Sequence, residues 1–208
     1  GAFLQQEEAV NPSQHNTLQA LLTVAVLCNN ATLPSANDQD ALIGDPTEVA
    51  LLIAGAKAGL DRHQLLKNLP EIREVAFDSE SKRMATIHQA DDWDYPFVGS
   101  IESTEGSYLV AVKGALETVL PLCSHYLVAQ EERSLTHKIR KQWRDRAHNM
   151  ATDGLRVLSL AYKVVDHPDS EPYENLVWLG LVGLLDPPRL EVKEAIEDCH
   201  QVGVRVIM

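Results

Sequence analysis

The sequence predicts a globular α+β (α/β) protein in which helices flank a β-sheet, and three observations lead to this fold class. The chain has 208 residues with 45% hydrophobic content, enough for one sizeable core or for one domain and part of another. Strand-like segments dominate its middle, and helical patterns lie on either side of them. Near the C-terminus, a helical pattern followed by an apolar strand is typical of an alternating α/β domain.

Composition and charge exclude several classes of protein. Thirty acidic against eighteen basic residues give a formal charge of -12, which repels nucleic acids and anionic membrane surfaces. No apolar run approaches the roughly 20 residues of a membrane helix, and no secretory signal opens the chain. The three cysteines show no paired spacing and the eight histidines no metal-ligand spacing. We therefore expect a soluble protein of a reducing compartment, with no metal site and no nucleic-acid partner.

Three helices are predicted in the N-terminal third, after an irregular start over 1–12. Apolar residues recur on one helical face over 14–29. A second apolar stripe occupies 46–59, and a third, short helix is predicted over 61–66.

The segment Asp45 to Glu48 carries the start signals of the second helix. Asp45 is a favourable N-cap, and Pro46 suits the first turn. Glu48, three residues after the cap, can close a capping box. On sequence alone, this structural role explains Glu48 as well as any functional role does.

Sheet signals dominate residues 72–184. Strands are predicted over 72–77, 83–88, 97–102, 108–113, 155–164 and 176–184. We expect the third and fourth of these to form a hairpin, and the last two to be central because they are strongly apolar. A charged helix over 134–150 is predicted to lie against the sheet and to end at Asp153-Gly154. The acidic stretches 91–94 and 166–172 are interpreted as solvated loops.

Lys113 lies where an apolar strand runs into an amphipathic helix. Gly114 follows it, and glycine can adopt backbone conformations that are closed to other residues. A cation at this junction, beside the unpaired amides that open a helix, suits an anion such as a phosphate. The alternative is a lysine that leaves a strand edge into water, since most lysines are exposed.

The pattern changes at Asp186-Pro187-Pro188-Arg189, where paired prolines predict a stiff joint. After the joint come a helix with apolar residues over 192–199, a turn at Gly203 and an apolar strand over 204–208. Because the chain stops inside this strand, we expect a piece of a longer protein.

Five short motifs occur in the order found in P-type cation-transporting ATPases. They are Gly44-Asp45-Pro46-Thr47-Glu48, Phe77 with Lys82-Arg83-Met84, Lys113-Gly114-Ala115, Asp153-Gly154-Leu155-Arg156 and Asp186-Pro187-Pro188-Arg189. The terminal segment 203–208 is similar to the strand that leads to that family's TGD motif. No single motif is decisive, but five in order across most of the chain make the resemblance strong. It looks most like the type II members, which move calcium or monovalent cations.

The resemblance implies the cytosolic nucleotide-binding domain of an integral membrane transporter. In the family, this domain is a six- to seven-stranded antiparallel sheet flanked by helices, and here it corresponds to 1–184. Residues 185–208 correspond to the hinge and a truncated helix-strand piece of the phosphorylation domain. The implied partners are ATP and the remaining phosphorylation, actuator and membrane domains, and we expect this chain to be monomeric. Calcium is the favoured cation.

The family's nucleotide-binding residues match eight positions of this sequence. Phe77 matches the aromatic residue that stacks on adenine, and Lys113 the lysine at the floor of the adenine pocket. Glu48 matches the acid that helps to hold the base, and Arg156 the arginine that reaches towards the phosphates. Lys82 matches a further lysine near the nucleotide. The set is completed by Thr47, Met84 and Gly114.

Two further positions bear on the nucleotide. Ser79 stands where some members of the family place an arginine, and this departure removes one phosphate contact. The hinge over 186–189 contributes Asp186 and Arg189 as candidates for ribose or phosphate contacts when the domains close.

Several motifs of ATP chemistry are absent from the sequence. It has neither GxxxxGK[ST] nor GxGxxG, and it lacks the family's DKTGT, TGD and GDGxxND segments. We therefore predict that the chain binds ATP without hydrolysing it and that Mg²⁺ arrives with the nucleotide. In the parent enzyme, the resemblance implies transfer of the γ-phosphate to an aspartate upstream of Gly1, coupled to cation transport. The alternative is a regulatory or interaction domain of the same fold that no longer binds nucleotide.

Overall fold

The structure is a computed structural model that describes residues 2–33, 43–91, 106–186 and 191–207. Its strands are β1 (Phe3–Gln5), β2 (Glu8–Val10), β3 (Glu71–Asp78), β4 (Arg83–Gln89), β5 (Tyr108–Gly114), β6 (Cys123–Val128), β7 (Glu131–Ser134), β8 (Arg156–Val165) and β9 (Leu176–Leu184). Its helices are α1 (Asn16–Leu27), α2 (Pro46–Lys57), α3 (Arg62–Asn68), α4 (Leu116–Val119), α5 (His137–Thr152) and α6 (Glu191–Gln201).

Strands β3 to β9 form one seven-stranded sheet in the order β3-β4-β5-β8-β9-β6-β7. Every neighbouring pair is antiparallel except β6 and β9, which are parallel. The helix-flanked sheet confirms the predicted α+β fold class, but the sheet is mixed rather than wholly antiparallel. The parallel pair is possible because α5 and β8 lie between β6 and β9 in the chain, which gives the crossover that parallel strands need.

Four strands, β1, β2, β6 and β7, lie where the sequence predicted none. β1 and β2 form a separate two-stranded hairpin within the stretch expected to be irregular. β6 and β7 form one edge of the large sheet. β7 is exposed along its whole length and carries three charged residues, which is common at sheet edges and hides the apolar alternation of a strand.

The predicted helices are present, with small changes at their ends. Asp45 and Asp61 cap α2 and α3 through hydrogen bonds to backbone amides of the first turn. α5 begins at His137 rather than at Ser134, because 131–134 pairs with β6 and Thr136 supplies the N-cap. Local capping signals therefore located the starts of α2 and α3.

Both faces of the sheet are covered by helices, which explains the nearly complete burial of β5. Leu109 and Ala111 belong to the core on the side of α1, α2 and α3. Val110 and Val112 belong to the core on the side of α4 and α5. A strand that is buried on both faces carries a continuous run of apolar residues instead of alternating apolar and polar residues. The sequence of β5 has such a run.

The acidic loop 166–172 is mostly exposed, as expected of a solvated loop, but its backbone is also attached to the sheet. Arg73 of β3 donates from Nη1 to the carbonyl oxygen of Pro168 at 2.9 Å. Lys163 of β8 donates from Nζ to the carbonyl oxygen of Glu171. Two cations on the sheet therefore hold the backbone of this loop.

Two predictions about strands are wrong: the hairpin that was to include β5 and the strand at the C-terminus. Both edges of β5 are already paired, with β4 and β8, so β5 has no free edge for the predicted hairpin; its predicted partner, 97–102, lies outside the described residues. Residues 204–207 follow a turn at Gly203 but form no strand. The joint residues Pro187, Pro188 and Arg189 and the acidic stretch 92–94 also lie outside the described residues.

None of the helices in the described part of the chain is both long enough and apolar enough to cross a bilayer.

Candidate functional site

A cavity of about 510 Å³ opens between the start of α2, the β3–β4 turn, the end of β5 and the start of β8. All eight residues predicted to bind nucleotide line it, although they come from four separate parts of the chain. These residues are Thr47, Glu48, Phe77, Lys82, Met84, Lys113, Gly114 and Arg156. The structure therefore brings the predicted set together, and the role of each residue in nucleotide binding stays a prediction.

An ion pair between Lys113 and Glu48 forms the buried part of the cavity wall. Lys113 Nζ lies 2.8 Å from Glu48 Oε1, and the two side chains are only 8% and 16% exposed. The other carboxylate oxygen, Oε2, accepts a hydrogen bond from the backbone N–H of Asn30 at 3.3 Å. Glu48 thus uses both oxygens on groups outside α2 and does not close the predicted capping box.

The environment of Lys113 differs from the anion site that the sequence suggested. Its ammonium group is already bound to a carboxylate, and the helix that follows, α4, has only four residues. Lys113 is also buried, so the alternative of a lysine that leaves a strand edge into water is wrong. Because the paired charges balance, this part of the wall favours a neutral ligand group with polar edges over a phosphate.

Gly114 is required by a close approach of two strands rather than by an unusual backbone conformation. It pairs with Arg83 across the β4–β5 ladder. A Cβ atom at this position would lie 2.6 Å from the carbonyl oxygen of Lys82 and 2.7 Å from Arg83 Cβ. Its φ angle is not positive, unlike that of Lys82, which has φ +50°.

The β3–β4 turn presents Lys82 at the cavity in a fixed conformation. The Asp78 carboxylate accepts hydrogen bonds from the backbone N–H groups of Glu80 at 3.2 Å and Ser81 at 3.0 Å. The bond from Ser81 lowers the pKa of Asp78 more than any other interaction. Lys82 Nζ lies 3.6 Å from Glu117 Oε1, and both side chains are exposed. Ser79, in the same turn, does not line the cavity.

Arg156 is tied to the start of α2 through a hydroxyl group. Its Nη1 donates to Thr47 Oγ1 at 2.8 Å. The hydroxyl and backbone N–H of Thr47 in turn hold the pKa of Asp45 below its ordinary value, and the Arg156 charge adds to this effect. The cap of α2 and the arginine on β8 therefore form one polar cluster at the exposed side of the cavity.

Apolar side chains complete the wall. Met84 is almost fully buried, whereas the ring of Phe77 is 61% exposed. Val157 and Leu158 of β8 also line the cavity. An exposed ring beside a concave, partly apolar wall is a typical surface for a flat ligand to lie against.

Sequence reasoning missed several lining residues. Asn30, Ala115, Val157 and Leu158 were not predicted, and Asp45 was predicted only as a helix cap. Ala115 belongs to the Lys113-Gly114-Ala115 motif and Val157 directly follows Arg156, so sequence proximity could have suggested both. Asn30 lies in a polar segment with no local signal of its position.

The described part of the site contains no cluster of potential metal ligands. No three His, Cys, Asp or Glu side chains in the described ranges come close enough together to hold a metal ion. Cys28 lies behind Met84, and burial raises the pKa of its thiol to about 11, so the thiol is unreactive at neutral pH.

Comparison with known proteins identifies the family. The family model described as "P-type ATPase, cytoplasmic domain N" matches residues 17–191, which is most of the chain. The chain belongs to this family. The seven-stranded sheet flanked by helices is consistent with the α+β fold of a P-type ATPase domain N.

Relatives of the P-type ATPase domain extend over nearly the whole chain. Calcium-transporting ATPase 1 of Bacillus cereus is 36% identical over 97% of this chain and 21% of its own length. Cation-transporting ATPase pma1 of Synechocystis is 34% identical over 92% of this chain and 20% of its own length. The sodium/potassium exporting P-type ATPase cta3 of Schizosaccharomyces pombe is 34% identical over 98% of this chain and 19% of its own length. The chain thus spans about a fifth of the length of these relatives.

Proposed function

We propose that this domain N binds ATP in the cavity between α2, the β3–β4 turn, β5 and β8. The observation that carries the proposal is the convergence of Phe77, Lys113 and Glu48 on one cavity wall, although they are far apart in sequence. An aromatic ring, apolar side chains and a few placed polar groups are typical of a site for a planar base.

The distribution of charge supports one orientation of the nucleotide. The buried Lys113–Glu48 pair carries no net charge, and a Glu48 oxygen can accept a hydrogen bond from the exocyclic amine of adenine. Lys113 is buried in an ion pair, whereas Lys82 and Arg156 are exposed. Lys82 and Arg156 are therefore the cations available to phosphate oxygens. The base therefore enters the buried part and the phosphates remain at the exposed side, with Mg²⁺ bound to them.

For the whole protein, we propose ATP hydrolysis through an aspartyl phosphate, coupled to cation transport. Domain N holds the adenine, and rotation about the joint 186–189 carries the γ-phosphate to an aspartate outside this chain. Calcium is the favoured cation, because relatives from Bacillus cereus and Bacillus subtilis are named calcium-transporting ATPases.

Calorimetric titration of ATP onto the 208-residue chain tests the binding proposal. We expect saturable binding that weakens by roughly five- to 150-fold in Phe77→Ala, because stacking of a base on an aromatic ring contributes about 1–3 kcal/mol. Lys113→Ala is expected to lose binding as well. Ile72→Ala is the matched control, since Ile72 is also exposed on β3 but does not line the cavity.

The absence of saturable ATP binding by the wild-type chain at several millimolar would contradict the proposal. The remaining function would then be that of a regulatory or interaction domain on the same scaffold. Equal weakening in Phe77→Ala and Ile72→Ala would show that the nucleotide binds elsewhere.

A further inference from the structure

We propose that Asn29 is a positioning residue that fixes Glu48 in the cavity and thereby sets the preference for adenine over guanine nucleotides. This inference rests on the proposed binding of ATP. Asn29 does not line the cavity, but Glu48 does, and the two residues are directly hydrogen-bonded.

The side chain of Asn29 is fully buried, and each of its hydrogen-bonding groups has a backbone partner. Its Nδ2 donates to the carbonyl oxygens of Glu48 at 3.0 Å and Ala25 at 3.3 Å. Its Oδ1 accepts from the backbone N–H of Ala31 at 2.9 Å. The amide thus joins the end of α1, the turn that follows it and the first turn of α2.

The same turn also holds the Glu48 carboxylate. Asn30, which lies between Asn29 and its partner Ala31, donates its backbone N–H to Glu48 Oε2 at 3.3 Å. Lys113 holds Oε1 at 2.8 Å. The backbone of Glu48 is therefore fixed by Asn29, and its carboxylate is fixed between Asn30 and Lys113.

Two further contacts make this junction rigid. Arg62 of α3 donates from Nε to the carbonyl oxygen of Val26 at 3.3 Å and from Nη2 to that of Asn29. On the opposite side, Gly44 has φ +133°, and a Cβ atom there would lie 2.5 Å from Ala31 Cβ. The Asn29–Ala31 turn is thus enclosed by α3 and by the segment that leads into α2.

Fixed carboxylate oxygens discriminate between the two purines. A carboxylate accepts hydrogen bonds but cannot donate them, so it favours the exocyclic amine of adenine. Guanine presents a carbonyl oxygen at the corresponding ring position, which a carboxylate repels. A carboxylate that can rotate away loses this discrimination, because the penalty against guanine then disappears.

The test compares Asn29→Ala with Leu22→Ala, which removes a buried α1 side chain that makes no bond to Glu48. ATP and GTP are titrated separately by calorimetry at a temperature where both variants are folded. We expect Asn29→Ala to raise the Kd for ATP about tenfold and to reduce the ATP-to-GTP preference by a similar factor. Leu22→Ala is expected to leave both Kd values within about twofold, although it also lowers Tm.

Amide hydrogen exchange of Asn30, followed by NMR without nucleotide, provides a second measurement. Its N–H is bonded to Glu48, so we expect its exchange to accelerate in Asn29→Ala but not in Leu22→Ala. If Asn29→Ala does not fold, Arg62→Met removes the bonds to the carbonyls of Val26 and Asn29 and is expected to shift both measurements in the same direction.

The inference is overturned if Asn29→Ala lowers Tm but leaves the Kd for ATP, the ATP-to-GTP preference and the hydrogen exchange of the Asn30 amide at their wild-type values. A wild-type chain that binds no ATP refutes the proposed function instead. Hydrogen exchange of Asn30 then still decides whether Asn29 positions Glu48.

Discussion

The buried ion pair between Lys113 and Glu48 leads to a quantitative prediction about stability. Glu48→Leu leaves the Lys113 ammonium buried without its carboxylate, whose side chain is only 16% exposed in the wild type. Removing one partner of a buried pair costs about 3–5 kcal/mol. The residual exposure of Glu48 places the expected loss near the lower bound, at about 3 kcal/mol, which lowers Tm by about 6–12 °C in a chain of this size.

The double variant Glu48→Leu/Lys113→Met removes both charges and separates folding from function. Apolar residues of similar volume often replace a buried ion pair without loss of stability. We therefore expect the double variant to be more stable than Glu48→Leu, with a Tm within about 3 °C of the wild type, although it no longer binds ATP.

Thermal unfolding followed by circular dichroism measures these differences. The matched control is the exposed pair of Arg133 and Glu131, whose atoms are also 2.8 Å apart but whose side chains are 56% and 67% exposed. Glu131→Leu is expected to leave Tm unchanged, because exposed ion pairs contribute little. A Tm of Glu48→Leu equal to that of the wild type would refute this prediction. A double variant less stable than Glu48→Leu would refute it as well.

Three further predictions concern a helix cap, a strand glycine and a buried histidine. Asp45→Ala removes an N-cap that contributes about 1 kcal/mol and is expected to lower Tm by about 2–4 °C, whereas Asp45→Asn keeps the cap; equal losses would contradict this account. Gly114→Ala places a methyl carbon 2.6 Å from a backbone carbonyl oxygen and is expected to cost about 1–3 kcal/mol, measured by urea unfolding. Gly183→Ala meets movable side-chain ends instead and is expected to cost less. Burial lowers the pKa of His88 from 6.5 to about 4, so the unfolded chain takes up this proton first and stability falls as the pH drops through this range. Between pH 7 and pH 5, the wild type is expected to lose about 2 kcal/mol more than His88→Gln, and equal losses would refute the assignment.

Local signals predicted the starts of α2 and α3 because a cap and the amides it accepts from lie within one turn. The same signals left the role of the Glu48 side chain open between a capping box and a functional site, since its partner Lys113 is 65 residues away in the sequence. Resemblance to a family named both residues as nucleotide contacts, which stays a prediction, and both line the cavity. It did not predict that they form an ion pair, which depends on how α2 packs against β5.

The strands that were not predicted lack a local sequence pattern, because their pairing depends on their position in the sheet. β7 is an exposed, charged edge, and its pairing depends on β6 alone. The parallel contact of β6 with β9 depends on the order of strands across the sheet, which no local segment encodes. Gly114 was predicted to be special, but sequence cannot distinguish a positive φ from a close backbone approach, because both exclude a Cβ atom.

The position of β8 has a consequence for synthesis on the ribosome. β8 lies between β5 and β9, although β6 and β7 precede it in the chain. In a nascent chain that stops before Arg156, β3 to β5 and β6 with β7 are therefore two strand groups with no strand between them to complete the sheet. This nascent chain also lacks the cavity wall that β8 provides. A ligand of the cavity therefore cannot stabilise the folded state until β8 has been synthesised.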